Sequence, residues 1–216
     1  MKTYTVLTAT ILISFFNTEY IVSQDSTGIY INPYISYELT LLPSYIEEDG
    51  FEDPFEFNVS GYLSYGVAIG RIYNVGQFEA YFRYGKSILE NDVKKDGGLN
   101  GEVEFSTFSN VGISFRRNLW KNKESRKFKI ELGYRVSATF HHFKGYRSFN
   151  TNTNNDRIEQ YTENIFGVES GLNLKFGSRK EGRKNRVSVL WEPVYFRLQN
   201  KGFGFGAQRI GFEIKI

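Results

Sequence analysis

Residues 128–142, FKIELGYRVSATFHH, alternate between apolar and polar side chains with a period of two. One face carries Phe128, Ile130, Leu132, Tyr134, Val136, Ala138 and Phe140, and the other carries Glu131, Gly133, Arg135, Ser137, Thr139 and His141. Because successive side chains of a strand point to opposite sides, this pattern predicts a strand with one apolar and one polar face. Strands of globular proteins average ~5–6 residues. A strand this long is typical of the wall of a membrane barrel.

The same period recurs in seven other segments, namely 28–40, 59–70, 77–88, 105–116, 162–176, 186–198 and 203–216. Longer polar connections at 41–58, 89–104 and 144–161 alternate with shorter ones at 73–76, 121–127 and 177–185. The short turn at 199–202 is the exception. Long outer loops and short inner turns are typical of barrels whose termini both lie in the periplasm. We therefore predict an all-β fold, an eight-stranded antiparallel transmembrane up-and-down β-barrel.

The first residues have the features of a cleavable signal peptide. Lys2 is a short basic segment, 6–16 are mainly apolar, and Ser23 is a small residue at a suitable cleavage position. The apolar stretch is too short to span ~30 Å of hydrocarbon as a helix. We expect a signal peptide at 1–23, a barrel domain at 24–216 and export to the cell outer membrane.

Composition excludes several classes of protein. The 216 residues contain no Cys, which excludes disulfides, thiolate metal sites and a cysteine nucleophile. A net charge of +3, from 27 basic and 24 acidic residues, is too balanced to predict a nucleic-acid partner. The mean hydropathy of −0.40 excludes a protein with several membrane helices.

The C-terminal segment 209–216, RIGFEIKI, carries the most specific motif. Arg209, Gly211, Ile214 and Ile216 resemble the insertion signal that the barrel-assembly machinery reads on the last strand of outer-membrane barrels. Ile216 stands where that pattern prefers an aromatic residue. Over about 28–216 the chain resembles the small eight-stranded outer-membrane barrels of Gram-negative bacteria, similar in plan to the OmpA transmembrane domain and OmpX. The resemblance implies two partners, outer-membrane lipid and the assembly machinery.

The inward faces of the predicted strands carry charges of both signs. The candidate lumen residues are Glu38, Glu79, Glu131, Glu169, Glu213, Arg83, Arg116, Arg135, Lys175, Arg197, Arg209 and Lys215. Isolated charges in a narrow lumen cost several kcal/mol each, so we expect them to pair and plug the barrel. A wide pore needs about twice as many strands, so porin activity is not expected. A narrow or gated conduit remains an alternative.

The adjacent His141 and His142 are the candidate catalytic residues, because some eight-stranded outer-membrane barrels modify lipid A. Ser137, Ser148, Glu159 and Glu163 are the nearest nucleophile and acid candidates. The lipid A deacylase pattern has a serine two residues after its histidine, where this chain has Phe143 and Lys144. A metal site of His141, His142 and Asp156 is not demanded by the spacing. We predict no catalytic residue, no metal and no cofactor.

Two polar segments are expected to face the cell exterior. The first loop is acidic between Glu47 and Glu56, and 150–156 read NTNTNND. Because loops on a rigid scaffold commonly carry binding, the favoured function is adhesion or docking of an envelope or surface partner. The alternatives are a lipid A-modifying enzyme and a soluble periplasmic ligand-binding barrel, which would have an apolar lumen and a polar exterior.

Overall fold

The computed structural model describes residues 28–43, 47–48, 51–52, 57–88, 103–122, 128–151, 155–178, 187–200 and 203–216. The predicted signal peptide, residues 123–127 and 179–185 of the shorter connections and residues 152–154 lie outside these ranges, as does most of the acidic first loop. In the part of the chain that is described, no helix is long and apolar enough to cross a membrane.

Ten strands occupy almost all of the described residues. They are β1 (Gly28–Pro43), β2 (Glu47–Glu48), β3 (Phe51–Glu52), β4 (Phe57–Tyr73), β5 (Gly76–Ser87), β6 (Val103–Lys121), β7 (Phe128–Thr151), β8 (Asn155–Ser178), β9 (Val187–Gln199) and β10 (Phe203–Lys215). β2 and β3 form a separate two-stranded hairpin.

The other eight strands form a closed barrel in the order β1-β10-β9-β8-β7-β6-β5-β4. Every neighbouring pair is antiparallel, and β10 closes the barrel by pairing with β1 from Tyr30↔Lys215 to Leu41↔Phe203. Closure leaves the wall without an unpaired edge, as an apolar surrounding requires. The predicted eight-stranded antiparallel up-and-down barrel of transmembrane type is confirmed.

The exterior of the barrel is apolar and its interior is polar. Exposed apolar side chains include Ile113 and Phe166, which are 68% and 63% exposed, whereas the charged residues of the lumen are buried. On β4 the exposed apolar side chains run from Leu63 to Tyr73. Ten steps of about 3.3 Å, tilted by about 40°, make a band about 25 Å high, the height of the apolar band on transmembrane barrels. A soluble carrier barrel would show the reverse distribution.

Inward-facing aromatic rings fill the barrel by lying over glycines of the neighbouring strand. Tyr34 is the register partner of Gly66, and a Cβ on that glycine would lie 2.6 Å from the Tyr34 Cζ. The same arrangement joins Tyr30 to Gly70, Tyr81 to Gly112, Phe108 to Gly85, and Tyr195 to Gly206. The abundant glycine therefore makes room for the rings inside a narrow barrel.

A β-bulge explains why the alternation in 186–198 is irregular. Leu172 of β8 pairs with Val194, but Leu174 pairs with Trp191, so β9 has one extra residue near Pro193. The inward phase changes there from Ser188, Leu190 and Glu192 to Tyr195 and Arg197.

Two predictions about these elements need correction. The segment 144–161 was predicted to be a polar loop, but β7 continues to Thr151 and β8 begins at Asn155. The two strands stay paired without a register shift as far as Thr151↔Asn155, so both continue well beyond the predicted strand ends. Lys215, predicted inside the lumen, is only half-buried, because it is the last residue of β10.

Candidate functional site

The outer half of the lumen holds a network of ion pairs centred on Glu169. Its carboxylate lies 2.5 Å from the Arg83 Nη2, 3.2 Å from the Arg135 Nη2 and 3.5 Å from the Arg197 Nη1. These four residues come from four different strands and are almost completely buried. The network therefore ties one side of the barrel to the other through its interior.

Glu38 on β1 extends the same network. It lies 3.2 Å from the Arg83 Nε and 3.1 Å from the Arg197 Nη1, and it accepts a hydrogen bond of 2.7 Å from the Ser64 hydroxyl. Arg197 also donates to the Thr40 hydroxyl at 2.7 Å. Each carboxylate here is shared by at least two arginines, which compensates part of the cost of burying the charges.

Glu192 connects this network to the middle of the barrel. Its carboxylate lies 2.9 Å from the Arg135 Nε and 3.6 Å from the Arg209 Nη1. The Arg209 guanidinium stacks on the Tyr34 ring, with its Cζ 3.6 Å from the ring centroid. Stacking and the ion pair hold Arg209 in place, although within the described residues its three guanidinium nitrogens form no hydrogen bond.

The inner half of the lumen holds a second network. Arg116 lies 2.9 Å from Glu79 and 3.2 Å from Glu213. Lys175 lies 2.5 Å from Glu213 and 3.7 Å from Glu131. The Tyr30 and Ser114 hydroxyls donate to Glu79 at 2.9 and 2.7 Å. The predicted pairing of lumen charges is therefore observed in both halves of the barrel.

A cluster of mainly aromatic residues lies toward the outer end of the lumen. Tyr62, Phe105, Phe108, Phe143 and Ile165 are buried there, with Tyr161 packed against them. The Tyr62 and Phe108 rings meet edge to face with centroids 5.0 Å apart, and Phe105 lies 5.4 Å from Phe143. This cluster lies on the outer side of the ion-pair network, with the Arg83 Cζ 5.7 Å from the Phe108 ring centroid.

The two histidines point to opposite faces of β7, as predicted. His141 is buried, stacks on Phe143 with centroids 5.6 Å apart, and lies 3.2 Å from the Arg197 Nη1, which faces the His141 Nε2. His142 is half-buried on the other face, with its Nδ1 2.8 Å from the Asn164 Oδ1.

The serines and acids that were candidate catalytic partners of the histidines lie in different parts of the barrel. The Ser137 hydroxyl accepts a hydrogen bond from the Arg135 Nη1, so it belongs to the lumen network. Glu163 accepts a hydrogen bond from the Tyr161 hydroxyl at 2.5 Å, and Glu159 is exposed. The side chain of Ser148 lies outside the described residues. His141 therefore contacts Arg197 and the Phe143 ring, and its Nε2 lies 3.9 Å from the Glu169 carboxylate.

The candidate metal site of His141, His142 and Asp156 is not formed within the described residues. His141 and His142 point to opposite faces of β7, and the Asp156 side chain lies outside the described residues. Across the same residues, no group of three His, Asp or Glu side chains is arranged to hold a metal ion.

Sequence reasoning missed one lumen charge and the aromatic cluster. Glu192 lies beside the bulge at Pro193, where strict alternation fails. Phe105 is the first residue of the predicted strand 105–116, and Phe143 directly follows the predicted strand 128–142. The alternating pattern does not distinguish an apolar residue that faces lipid from one that faces the lumen. The residues of the C-terminal motif lie on both faces of the wall. Arg209 and Gly211 face the lumen, and Ile214 and Ile216 face outward.

Comparisons with known proteins give matches in structure alone. No protein-family profile and no curated protein sequence matches the chain. Among solved structures the chain is similar to Neisserial surface protein A (NspA), at 13% identity and a TM-score of 0.49, over 89% of this chain and 100% of that chain. It is also similar to the transport unit of the autotransporter AIDA-I from Escherichia coli, at 8% identity and a TM-score of 0.24, over 94% of each chain. The strand number, pairing and closure described above agree with the expected plan of a small outer-membrane barrel.

Proposed function

We propose that the protein spans the bacterial outer membrane as a closed barrel and presents a docking surface for an envelope or surface partner at its outer end. The apolar band of about 25 Å supports the membrane location, because its height matches the apolar band of transmembrane barrels. The outer end is the end that bears the long connections, on the opposite side from both strand termini Gly28 and Lys215.

The ion pairs and aromatic rings inside the barrel are the observation that carries the functional part of the proposal. Glu169 and Glu38 join arginines across the outer half, and the cluster around Phe108 lies above them. We infer from these contacts that the described part of the lumen is plugged, and that the function of the barrel lies on its surface. Among the described elements, β7 and β8 are the two longest strands, and their hairpin extends farthest at the outer end.

This proposal is tested by measuring cell adhesion or partner binding after removal of the hairpin tip. We expect deletion of 150–156 to abolish binding while the purified barrel keeps its heat-dependent gel mobility. A variant in which a Gly/Ser stretch of equal length replaces the same residues is the matched control for the shorter hairpin. Unchanged binding by both variants would contradict a role for this surface.

The alternative function, modification of lipid A, predicts a different result. A lipid A-modifying enzyme using the histidine pair would change the lipid A acyl pattern when His141 or His142 is replaced by Ala. The proposal predicts identical acyl patterns by mass spectrometry in the wild type and in both variants.

A further inference from the structure

Two strands of the wall carry the same pattern on their outward faces. Residues 80–86 of β5 read AYFRYGK, and residues 138–144 of β7 read ATFHHFK. In each segment the outward positions hold alanine, phenylalanine, a tyrosine or histidine ring and, last, the exposed Lys86 or Lys144. Each segment therefore changes from small and apolar to aromatic and then cationic toward the outer end of the barrel.

The register places the two segments side by side, with β6 between them. Ala80 and Ala138 pair with the same residue, Ile113, and at the other end both lysines pair with Thr107. Neighbouring strands are about 4.8 Å apart, so the Cα atoms of the two lysines are about 10 Å apart. The repeated pattern thus forms one continuous surface over three strands.

The two alanines line a groove in the apolar wall. The groove has a volume of about 670 Å³ and is lined almost entirely by apolar side chains, among them Ile69, Phe82 and Phe140. This volume is within the range of about 300–1,000 Å³ that is typical of small-molecule sites. Because the wall of a transmembrane barrel is surrounded by lipid, an acyl chain is the group that fills this groove.

The cationic end of the surface lies directly beyond the groove. Lys86 and Lys144 are exposed, and within the described residues neither ammonium group forms an ion pair. The register rows through Thr107, Ser109 and Val111, from β4 to β8, contain no Asp or Glu. Two uncompensated cations at the edge of the apolar band attract the phosphates of a lipid headgroup.

We propose that this surface binds a bisphosphorylated, acylated glycolipid of the lipid A class. One acyl chain lies in the groove over Ala80 and Ala138, and the two phosphates lie at Lys86 and Lys144. The inference concerns binding without a chemical step. It goes beyond the proposed docking function and depends only on the transmembrane barrel.

The position and spacing of the lysines favour this lipid over a phospholipid. Both lysines lie toward the outer end, on the opposite side from the strand termini Gly28 and Lys215, so they face the outer leaflet. A phospholipid such as phosphatidylglycerol has one phosphate, which reaches one lysine at a time. A headgroup with two phosphates engages both lysines at once, and the rigid wall holds them at a fixed separation.

Lipid binding to the purified barrel in detergent micelles tests the inference by native mass spectrometry. The probes are bisphosphorylated lipid A, monophosphorylated lipid A and phosphatidylglycerol. A variant with both Lys86→Gln and Lys144→Gln should bind bisphosphorylated lipid A at least about tenfold more weakly than the wild type. Arg71→Gln is the matched control, because Arg71 is an exposed cation on the same wall at the inner end, and it should bind this lipid as the wild type does.

Filling the groove tests the place of the acyl chain. A variant with both Ala80→Leu and Ala138→Leu keeps the two lysines and should also bind bisphosphorylated lipid A at least about tenfold more weakly, because the added side chains occupy the groove. Val189→Leu, at an exposed apolar position on β9 outside the groove, is the control and should bind normally. All variants should keep the heat-dependent gel mobility of the folded barrel.

Three results would overturn the inference. They are unchanged binding by the double lysine variant, unchanged binding by the double alanine variant, and equal binding of bisphosphorylated lipid A and phosphatidylglycerol by the wild type. The adhesion assay is independent of all three. If deletion of 150–156 abolishes adhesion while the lysine variant binds lipid A normally, the docking function stands and the lipid site is wrong.

Discussion

Replacement of Glu169 by Gln tests the energetic role of the lumen network. The substitution keeps the size of the side chain and removes the negative charge that three arginines share, at 2.5, 3.2 and 3.5 Å. Glu38 and Glu192 remain, so each arginine keeps one carboxylate neighbour. The variant is therefore expected to fold with an uncompensated positive charge in the outer half of the lumen.

The expected cost follows from burial. Removing one partner of a buried ion pair costs about 3–5 kcal/mol when a charge is left buried without compensation, and in this variant three arginines share the two remaining carboxylates. Since about 1.4 kcal/mol is a factor of ten, the folding equilibrium should fall by roughly two to four orders of magnitude. Glu159→Gln on the exposed outer part of the same strand is the control, with an expected change below about 1 kcal/mol.

Equilibrium unfolding in urea, with the barrel reconstituted in lipid vesicles, measures these differences. Trp120 and Trp191 supply the fluorescence signal, and gel mobility of unheated samples gives an independent measure of the folded fraction. A change below about 1 kcal/mol for Glu169→Gln would refute the reasoning, because it would mean that the network is solvated rather than dry.

Three other substitutions test separate parts of the account. Gly206→Val should destabilise the barrel by at least about 2 kcal/mol, because the new side chain meets the Tyr195 ring, and Tyr195→Ala in the same chain should relieve part of the loss in urea unfolding. Ile113→Arg, at a position 68% exposed on the exterior, should cost about 2–4 kcal/mol in vesicles, whereas Ile113→Leu should cost little. Ile216→Asp should lower the amount of folded barrel in outer membranes and leave refolding of purified chains in detergent nearly unchanged, as expected if the last residue acts in assembly.

The sequence predicted the wall of the barrel well because lipid imposes a simple pattern. Each strand must present apolar residues to one side, and a period of two is visible without neighbours or alignment. The inward position of Glu38, Arg83 and Glu169 follows directly from that period. These charges could therefore be assigned to the lumen from the sequence. Their ion-pair partners could not be identified, because these depend on the register and stagger of the strands.

The outer rim was predicted less well because polarity there does not separate strand from loop. Residues 144–161 are polar on both faces, as a hairpin above the membrane is allowed to be, and they read as a loop. Glu192 was missed for a different reason, since a bulge at Pro193 changes the inward phase. In both cases the deciding feature is hydrogen bonding between strands, which composition does not record.

Gel mobility of boiled and unboiled samples from isolated outer membranes tests whether the chain is a folded barrel in that membrane. We expect the unheated protein in the outer-membrane fraction, migrating differently from the boiled protein, because the closed barrel resists the detergent until heated. A band that does not shift, recovered from the periplasmic fraction, would contradict a barrel that spans the outer membrane.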